Sequence, residues 1–195
     1  MQAPPTRFLS NSRVRITGGD LGGQPLVAPR GWKVRPTSDR AREAIFSSLG
    51  DRVAGATVLD LYCGTGALAI EALSRGALRA VLVDRDTRPA LGNVERLGLG
   101  ARAELVRADV GRWLGQVSAA AQTGRFDLIF VDAPYRLADR VKDPLDNHLP
   151  GLLAPEGRVV VESAAGRPLG IDSLQRLRQR RYGAADISVY ARPQA

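Results

Sequence analysis

The sequence predicts an α/β fold: a seven-stranded, largely parallel sheet with helices on both faces, plus an N-terminal β-hairpin and helix. Three observations carry that prediction. Val58-Leu59-Asp60-Leu61 is a short apolar run holding one acid, and the Gly64-Thr65-Gly66 after it opens onto Ala67, Leu68, Ile70, Ala72 and Leu73 at helical spacing. A buried strand, a glycine turn and a helix in that order make a βα unit whose turn lets backbone N–H groups approach a ligand. Short apolar runs recur at 79–84, 103–109 and 126–131, each ending in or delivering an acid, and 157–162 adds a fifth. Finally, 174–183 and 185–190 read as a strand, a turn at Gly183 and a closing antiparallel strand.

Between these runs, a helix is expected over about 87–97 and a helix and loop over 139–153, with Pro144 and Pro150 limiting the latter. Ahead of the sheet, Arg13, Arg15 and Thr17 alternate with Val14 and Ile16; Gly18-Gly19-Asp20-Leu21-Gly22-Gly23 supplies a turn and Leu26-Val27 returns. Such a glycine-looped hairpin has one basic face, which either lies along a nucleic-acid backbone or forms a solvated edge. After Pro36, Thr37 or Ser38 caps a helix, Asp39 suits its positive end, and Ala41, Ile45, Phe46 and Leu49 form its apolar stripe. Residues 1–50 hold eight basic side chains against three acidic ones and read as a basic appendage on a domain spanning 51–195. Within it, Arg35, Arg40 and Arg42 sit near the helix start, where they bind phosphates or serve helix solubility and pairing with Glu43.

At 195 residues the chain is long enough for one domain with a sizeable core. Its net charge is +8, and Lys33 and Lys142 are its only lysines, so arginine carries the excess. That balance points to a polyanionic partner, although a solubilising surface gives the same composition. Cys63 is the single cysteine, which excludes an intramolecular disulfide and fits a reducing compartment. No apolar run approaches the ~18 residues of a membrane helix, so no membrane partner and a cytoplasmic location are expected. His148, the only histidine, has no cluster of Cys or Asp around it, and no metal site is expected.

The acids suggest chemistry. Ala69 stands where a dinucleotide fingerprint has its third glycine, so a nicotinamide site fits poorly. The spacing Asp60-x-x-x-Gly64-x-Gly66 instead resembles motif I of S-adenosylmethionine-dependent methyltransferases. Any one of Asp60, Asp84 and Asp109 alone is an ordinary strand terminus or N-cap; together they suit the amino-acid, ribose and adenine parts of one ligand. Tyr62, Gly64, Thr65 and Gly66 join them as candidate cofactor contacts.

The fourth run delivers Asp132-Ala133-Pro134-Tyr135. An exocyclic amino group of a base is a poor nucleophile because its lone pair is delocalised into the ring, and it needs acceptors that orient that lone pair. The Asp132 carboxylate and Ala133 carbonyl can supply them, Pro134 biases Ala133 towards an extended conformation, and the Tyr135 ring can stack on an extruded base.

Several blocks together resemble the RsmD family of bacterial small-subunit ribosomal RNA guanine-N2 methyltransferases: Arg15-Ile16-Thr17-Gly18-Gly19, the run from Arg35-Pro36-Thr37 to Ile45-Phe46, Leu59 to Leu68, Glu71-Ala72-Leu73-Ser74-Arg75-Gly76-Ala77 and Asp132-Ala133-Pro134-Tyr135. The resemblance implies a Rossmann-like class I fold and methyl transfer from S-adenosylmethionine, with S-adenosylhomocysteine as product. It implies as substrate the N2 amino group of one guanine of 16S rRNA, in the small ribosomal subunit or its assembly intermediate. A monomer is the expectation, with Arg13, Arg15, Arg35, Arg40 and Arg42 as RNA contacts. The family's motif is usually Asp-Pro-Pro-Tyr; Ala133 replaces the first proline here, which leaves the acceptor carbonyl but a less rigid loop. Cys63 stands at a position generally small in the family and is expected to pack beside the cofactor. A methyltransferase acting on DNA adenine or a protein amide could use the same acid-x-Pro-Tyr geometry. A non-catalytic RNA-binding or assembly factor would have no use for three cofactor acids.

Overall fold

The computed structural model describes residues 14–28, 38–119 and 126–193. Its strands are β1 Thr57–Leu61, β2 Arg79–Asp84, β3 Ala103–Arg107, β4 Phe126–Val131, β5 Leu153–Ala164, β6 Gln175–Tyr182 and β7 Ala185–Ala191; its helices are α1 Asp39–Leu49, α2 Ala67–Ser74, α3 Arg88–Arg96, α4 Val110–Ala119 and α5 Ala138–Leu152. They form a seven-stranded sheet in the order β3-β2-β1-β4-β5-β7-β6. The first five strands run parallel, whereas β7 is antiparallel to both β5 and β6. Chain order reverses between β1 and β4, the place where an open α/β sheet leaves a ligand crevice beyond its strand ends.

Two apolar layers hold the helices. Phe46, Leu73 and Val94 from α1, α2 and α3 pack on one face of the sheet, Trp113, Leu114, Leu145 and Leu149 from α4 and α5 on the other. The central strands are consequently buried on both sides: Val58, Leu59 and Leu61 of β1 and Leu128 to Val131 of β4 are all within 1% of fully buried.

Three elements differ from expectation. Helix α4 was not anticipated, although Val110, Trp113 and Leu114 recur at helical spacing after Asp109, whose Oδ1 accepts the Arg112 N–H at 3.0 Å. Helix α5 continues through Pro144 and Pro150. Pro144 removes a bond to the Arg140 carbonyl, which belongs to an exposed residue that water can reach, while Val141, Leu145, Leu149 and Leu152 stay buried. Strand β5 begins at Leu153, four residues before the expected start.

The N-terminal hairpin is a single antiparallel bridge, Arg15 to Pro25, extended by Leu26 N–H to Val14 O at 2.9 Å and Gly23 N–H to Ile16 O at 2.8 Å. It is sealed against α2. Ile16 and Leu26 are buried, each contributing roughly 1.5–3 kcal/mol of apolar burial. Glu71 receives both the backbone N–H and the hydroxyl of Thr17 at 2.7 Å, and Ser74 Oγ donates to Gly18 O at 2.7 Å. Gly19 has φ +76, and a Cβ there would fall 2.0 Å from Ser74 O, so only glycine allows the ribbon to lie this close to the helix.

The same network corrects the assignment of Arg42 to RNA. Its side chain is fully buried on the stripe of α1 that faces the sheet, 2.7 Å from Asp39 and 3.8 Å from Glu71, and it also donates to the Arg15 carbonyl. Glu71 completes its set with Arg75 at 2.8 Å, whose guanidinium lies 5.0 Å over the Phe46 ring. Ser38 caps α1, accepting the Ala41 N–H at 3.2 Å.

Candidate active site

Strands β1, β2 and β4 end level, because Leu61 is paired with Val83 on one side and Val131 on the other. Tyr62, Asp84 and Asp132 therefore leave the sheet side by side. Around them opens a cleft of about 860 Å³, the size of a small-molecule site, which also takes in Asp60, Gly64, Thr65, Asp109 and Ala133 to Tyr135. Ten of the eleven residues expected at the cofactor and catalytic positions thus share one wall.

Asp60 is buried and accepts the Ala69 N–H at 3.0 Å, so a strand carboxylate caps the first turn of α2. Burial pushes its pKa up to about 7, with the Asp84 charge adding to the rise and the Ala69 bond opposing it. Asp84 shapes the glycine turn directly: it accepts the Gly64 N–H at 3.1 Å and the Asp86 N–H at 3.0 Å. Gly64 has φ +54, and nothing but Tyr62 O lies within 4 Å of where its Cβ would be, so the turn leaves open room on the cleft side. Tyr62 itself adopts φ 63, a left-handed conformation costing of order 1–3 kcal/mol outside glycine. Burial pushes its phenol up to about 12, helped by the Asp109 charge.

Asp109 lies two residues beyond β3 and is occupied twice, as N-cap of α4 and as partner of Arg85. The Arg112 N–H first, then Arg85, hold its carboxyl below the usual range. Cys63 is buried beside Asp60 and Asp84, which pushes its thiol well above the ordinary value. Its burial suits packing rather than nucleophilic attack.

Gly66 is the exception to the cofactor set, since it does not line the cleft. At φ +79 its Cβ would come within 3.0 Å of Leu82 and 3.2 Å of Ile70. It lets α2 pack closely on the sheet and stands as that helix's N-cap.

The segment Asp132-Ala133-Pro134-Tyr135 turns sharply. Pro134 has φ −52 and ψ 127, and its carbonyl accepts the Leu137 N–H at 2.7 Å in a short 3-10 turn over Tyr135–Leu137. Ala133 is buried while the Tyr135 ring is 40% exposed, a disposition that suits stacking. Of the basic residues assigned to nucleic acid, Arg15 is 66% exposed and 3.4 Å from Asp39, and Arg40 is exposed on α1. Arg13 and Arg35 lie outside the described residues, as does the Arg35-Pro36-Thr37 part of the resemblance.

Sequence reasoning missed the rest of the cleft wall. Glu162, two residues before the end of β5, is buried and lines it, and Arg136 and Arg140 after the motif line it too. Val14, Leu26 and Ala28 close it from the N-terminal ribbon. That ribbon is tied to the glycine turn by Asn93 of α3, whose Oδ1 accepts the Val27 N–H at 2.8 Å and whose Nδ2 donates to Val27 O and Thr65 O, both at 3.0 Å. The signal for Glu162 was an acid closing a fifth strand as others close the first three; Asn93 offered none, because its partners are 66 and 28 residues away.

A family model described as Conserved hypothetical protein 95 matches residues 14–191. The chain belongs to the RsmD family. Ribosomal RNA small subunit methyltransferase D of Escherichia coli (strain K12) is 34% identical over 158 residues, covering 78% of this chain and 76% of that one. A hypothetical protein of Thermus thermophilus has the same fold at a TM-score of 0.73 and 31% identity, covering 91% and 99% of the two chains. An RNA methyltransferase from Salinibacter ruber, solved with S-adenosyl-L-homocysteine, shares the fold at a TM-score of 0.60 and 16% identity over 83% and 96%. The RsmD blocks read from sequence meet in space: Thr17-Gly18-Gly19 docks on Glu71, Ser74 and Arg75. The Rossmann-like methyltransferase fold is thereby established for the chain.

Proposed function

We propose that this protein transfers a methyl group from S-adenosylmethionine to the exocyclic N2 amino group of a guanine in 16S rRNA, within the small ribosomal subunit or its assembly intermediate. Membership of the RsmD family supports rRNA methylation. The observation that carries the reading is the level ending of β1, β2 and β4, which sets Asp132 and Tyr135 in the same cleft as Asp60 and Asp84.

The residues present fit the donor. A buried carboxylate at Asp60 suits a cationic amino group, the acid Asp84 at the tip of the second strand suits ribose hydroxyls, and the open side of Gly64 admits a ligand against backbone. Bound there, S-adenosylmethionine supplies an electrophilic methyl on a positively charged sulfur. The protein's own work lies in the acceptor. Asp132 takes hydrogen bonds from the amino group and receives its proton as the N–C bond forms; the Ala133 carbonyl fixes the second hydrogen; Tyr135 stacks on the base. Leu26 and Ala28 of the ribbon give the cleft an apolar margin.

Radiolabelled S-adenosylmethionine offered with unmodified small subunits, naked 16S rRNA and duplex DNA tests this directly. Label is expected in N2-methylguanosine with wild type and lost with Asp132→Ala. Label only in DNA or protein would overturn the rRNA substrate, and no label anywhere would favour an RNA-binding or assembly role.

A further inference from the structure

Strand β6 is the outer edge of the sheet, and its sequence Gln-Arg-Leu-Arg-Gln-Arg-Arg-Tyr exposes nearly every residue. Its arginines divide by face. Arg181 points to one side and is used internally: its Nε lies 2.9 Å from Asp186, a buried carboxylate that also takes the Gly166 N–H at 2.7 Å. Arg178 and Arg180 point to the other side, into a groove of about 220 Å³ between β6 and α1, lined further by Ala44, Ser47, Tyr182 and Val189. No carboxylate lines that groove. Among the described residues, no ion pair involves Arg178 or Arg180, and none involves Glu43, the second acid of α1. Two guanidinium groups thus lie on one strand face, spaced by a single residue and beside a serine hydroxyl, without an acidic partner among the described residues.

Register places the groove at the rim of the cleft. Arg180 is paired with Ile187, and Ile187 with Glu162, which lines the cleft. Val161 is paired with Val131, the residue before Asp132. From β4 to β6 is three strand spacings, about 14 Å. A polynucleotide whose base enters the cleft must pass its neighbouring phosphates over this edge or over the opposite one, where Arg85 and Arg88 are already paired with Asp109 and Asp86 and Arg107 donates to the Arg85 carbonyl. Arg178 and Arg180 have no such partner among the described residues.

We propose that the groove between α1 and β6 binds the sugar-phosphate backbone of the RNA substrate next to the nucleotide held in the cleft, through Arg178 and Arg180. The proposal rests on the rRNA reading of the cleft. Arginine suits it because its planar fork meets phosphate oxygens in pairs, positioning the strand without reading its sequence. The groove thus acts on affinity and register, and the cleft on chemistry.

The test compares wild type, the double variant R178E/R180E, the double variant R178K/R180K and a control R52E/R79E, which changes net charge equally at exposed sites on the opposite end of the sheet. Binding to naked 16S rRNA is measured over a salt series, with S-adenosylhomocysteine affinity and thermal midpoint alongside. R178E/R180E is expected to weaken RNA binding by at least about tenfold and to lower the slope of log affinity against log salt by about 1.4–1.8, the value for two phosphate contacts. It should raise KM for RNA with kcat, cofactor affinity and midpoint unchanged; R178K/R180K should recover most of the slope, and the control should stay near wild type. Equal losses in R178E/R180E and the control, or no loss in either, would overturn the groove while leaving the rRNA reading intact. Failure of wild type to bind or methylate 16S rRNA would overturn the reading beneath it.

Discussion

Two buried carboxylates on neighbouring elements, Asp60 on β1 and Glu71 on α2, do opposite work. Glu71 is filled: Thr17 donates twice, Arg75 pairs with it, and Arg42 lies 3.8 Å away. Asp60 receives one backbone N–H and otherwise borders a cleft. A buried acid whose acceptor capacity is used up is part of the scaffold, whereas one left with capacity at a cavity wall awaits a ligand. The same contrast separates Arg42, walled into the scaffold, from Arg178 and Arg180 on the solvent edge.

The largest effect expected on the cleft side is catalytic. Asp132→Ala should lower kcat by roughly 10²–10⁴-fold, the range for removing a general base, while S-adenosylhomocysteine still binds by calorimetry. A variant that also lost the ligand would mean that the motif holds the cofactor instead.

On the scaffold side, Glu71→Leu strands the buried Arg42 charge and the Thr17 N–H, and should cost about 3–5 kcal/mol in urea unfolding. Pairing it with Arg42→Met should recover much of that loss, since an apolar pair of similar volume replaces a buried ion pair at little cost. No recovery would show that Arg42 is stabilised chiefly by Asp39 and the Arg15 carbonyl.

Asp60→Asn should invert that pattern, with unfolding free energy little changed below about pH 4, where the carboxyl is protonated in both states, and S-adenosylhomocysteine affinity at neutral pH down by about tenfold, the worth of ~1.4 kcal/mol. Its pH behaviour sharpens the point. Burial raises Asp60 from 3.8 to about 7, so the folded protein keeps a proton that the unfolded chain releases across that window. Its contribution to stability is therefore complete below about pH 4 and fades as pH rises through 7. A cationic group arriving beside it favours the carboxylate, so ligand affinity should rise between about pH 6 and 8 with release of a proton. Asp60→Asn should flatten both profiles; an unchanged affinity profile would place the ligand's cationic end elsewhere.

The smallest effect is expected at the helix surface. Arg40→Ala should change stability by less than about 0.5 kcal/mol, whereas Arg42→Ala, which empties a buried, paired position, should cost several times more. Parity between them in urea unfolding would mean that α1 does not hold Arg42 as tightly as its burial indicates.

How far each feature was legible follows from the range of its interactions. Asp60, Asp84, Asp109 and Asp132 could be read because a strand end is a local property, visible in an apolar run and the acid after it. The fate of Arg42 depends on Glu71, 29 residues later and brought near only by packing, so nothing in α1 distinguishes it from Arg40 except its place on the stripe with Ala41, Ile45 and Phe46. The packing role of Gly66 was not legible because a glycine needed for packing and one needed for a ligand share the same letter; only the 3.0 Å approach to Leu82 reveals it. Pro144 misled for a different reason: the rule about proline in helices is a cost, and the burial of Leu145 and Leu149 outweighs it.

The central claim is that the cleft binds the methyl donor while the Glu71 network only holds the fold around it. Calorimetric titration of S-adenosylhomocysteine into wild type, Asp84→Ala and Glu71→Leu, at a temperature where all three are folded, tests it most directly. Binding to wild type and to Glu71→Leu, with loss in Asp84→Ala, is the predicted result. No binding to wild type, or binding that Asp84→Ala leaves untouched, would contradict it.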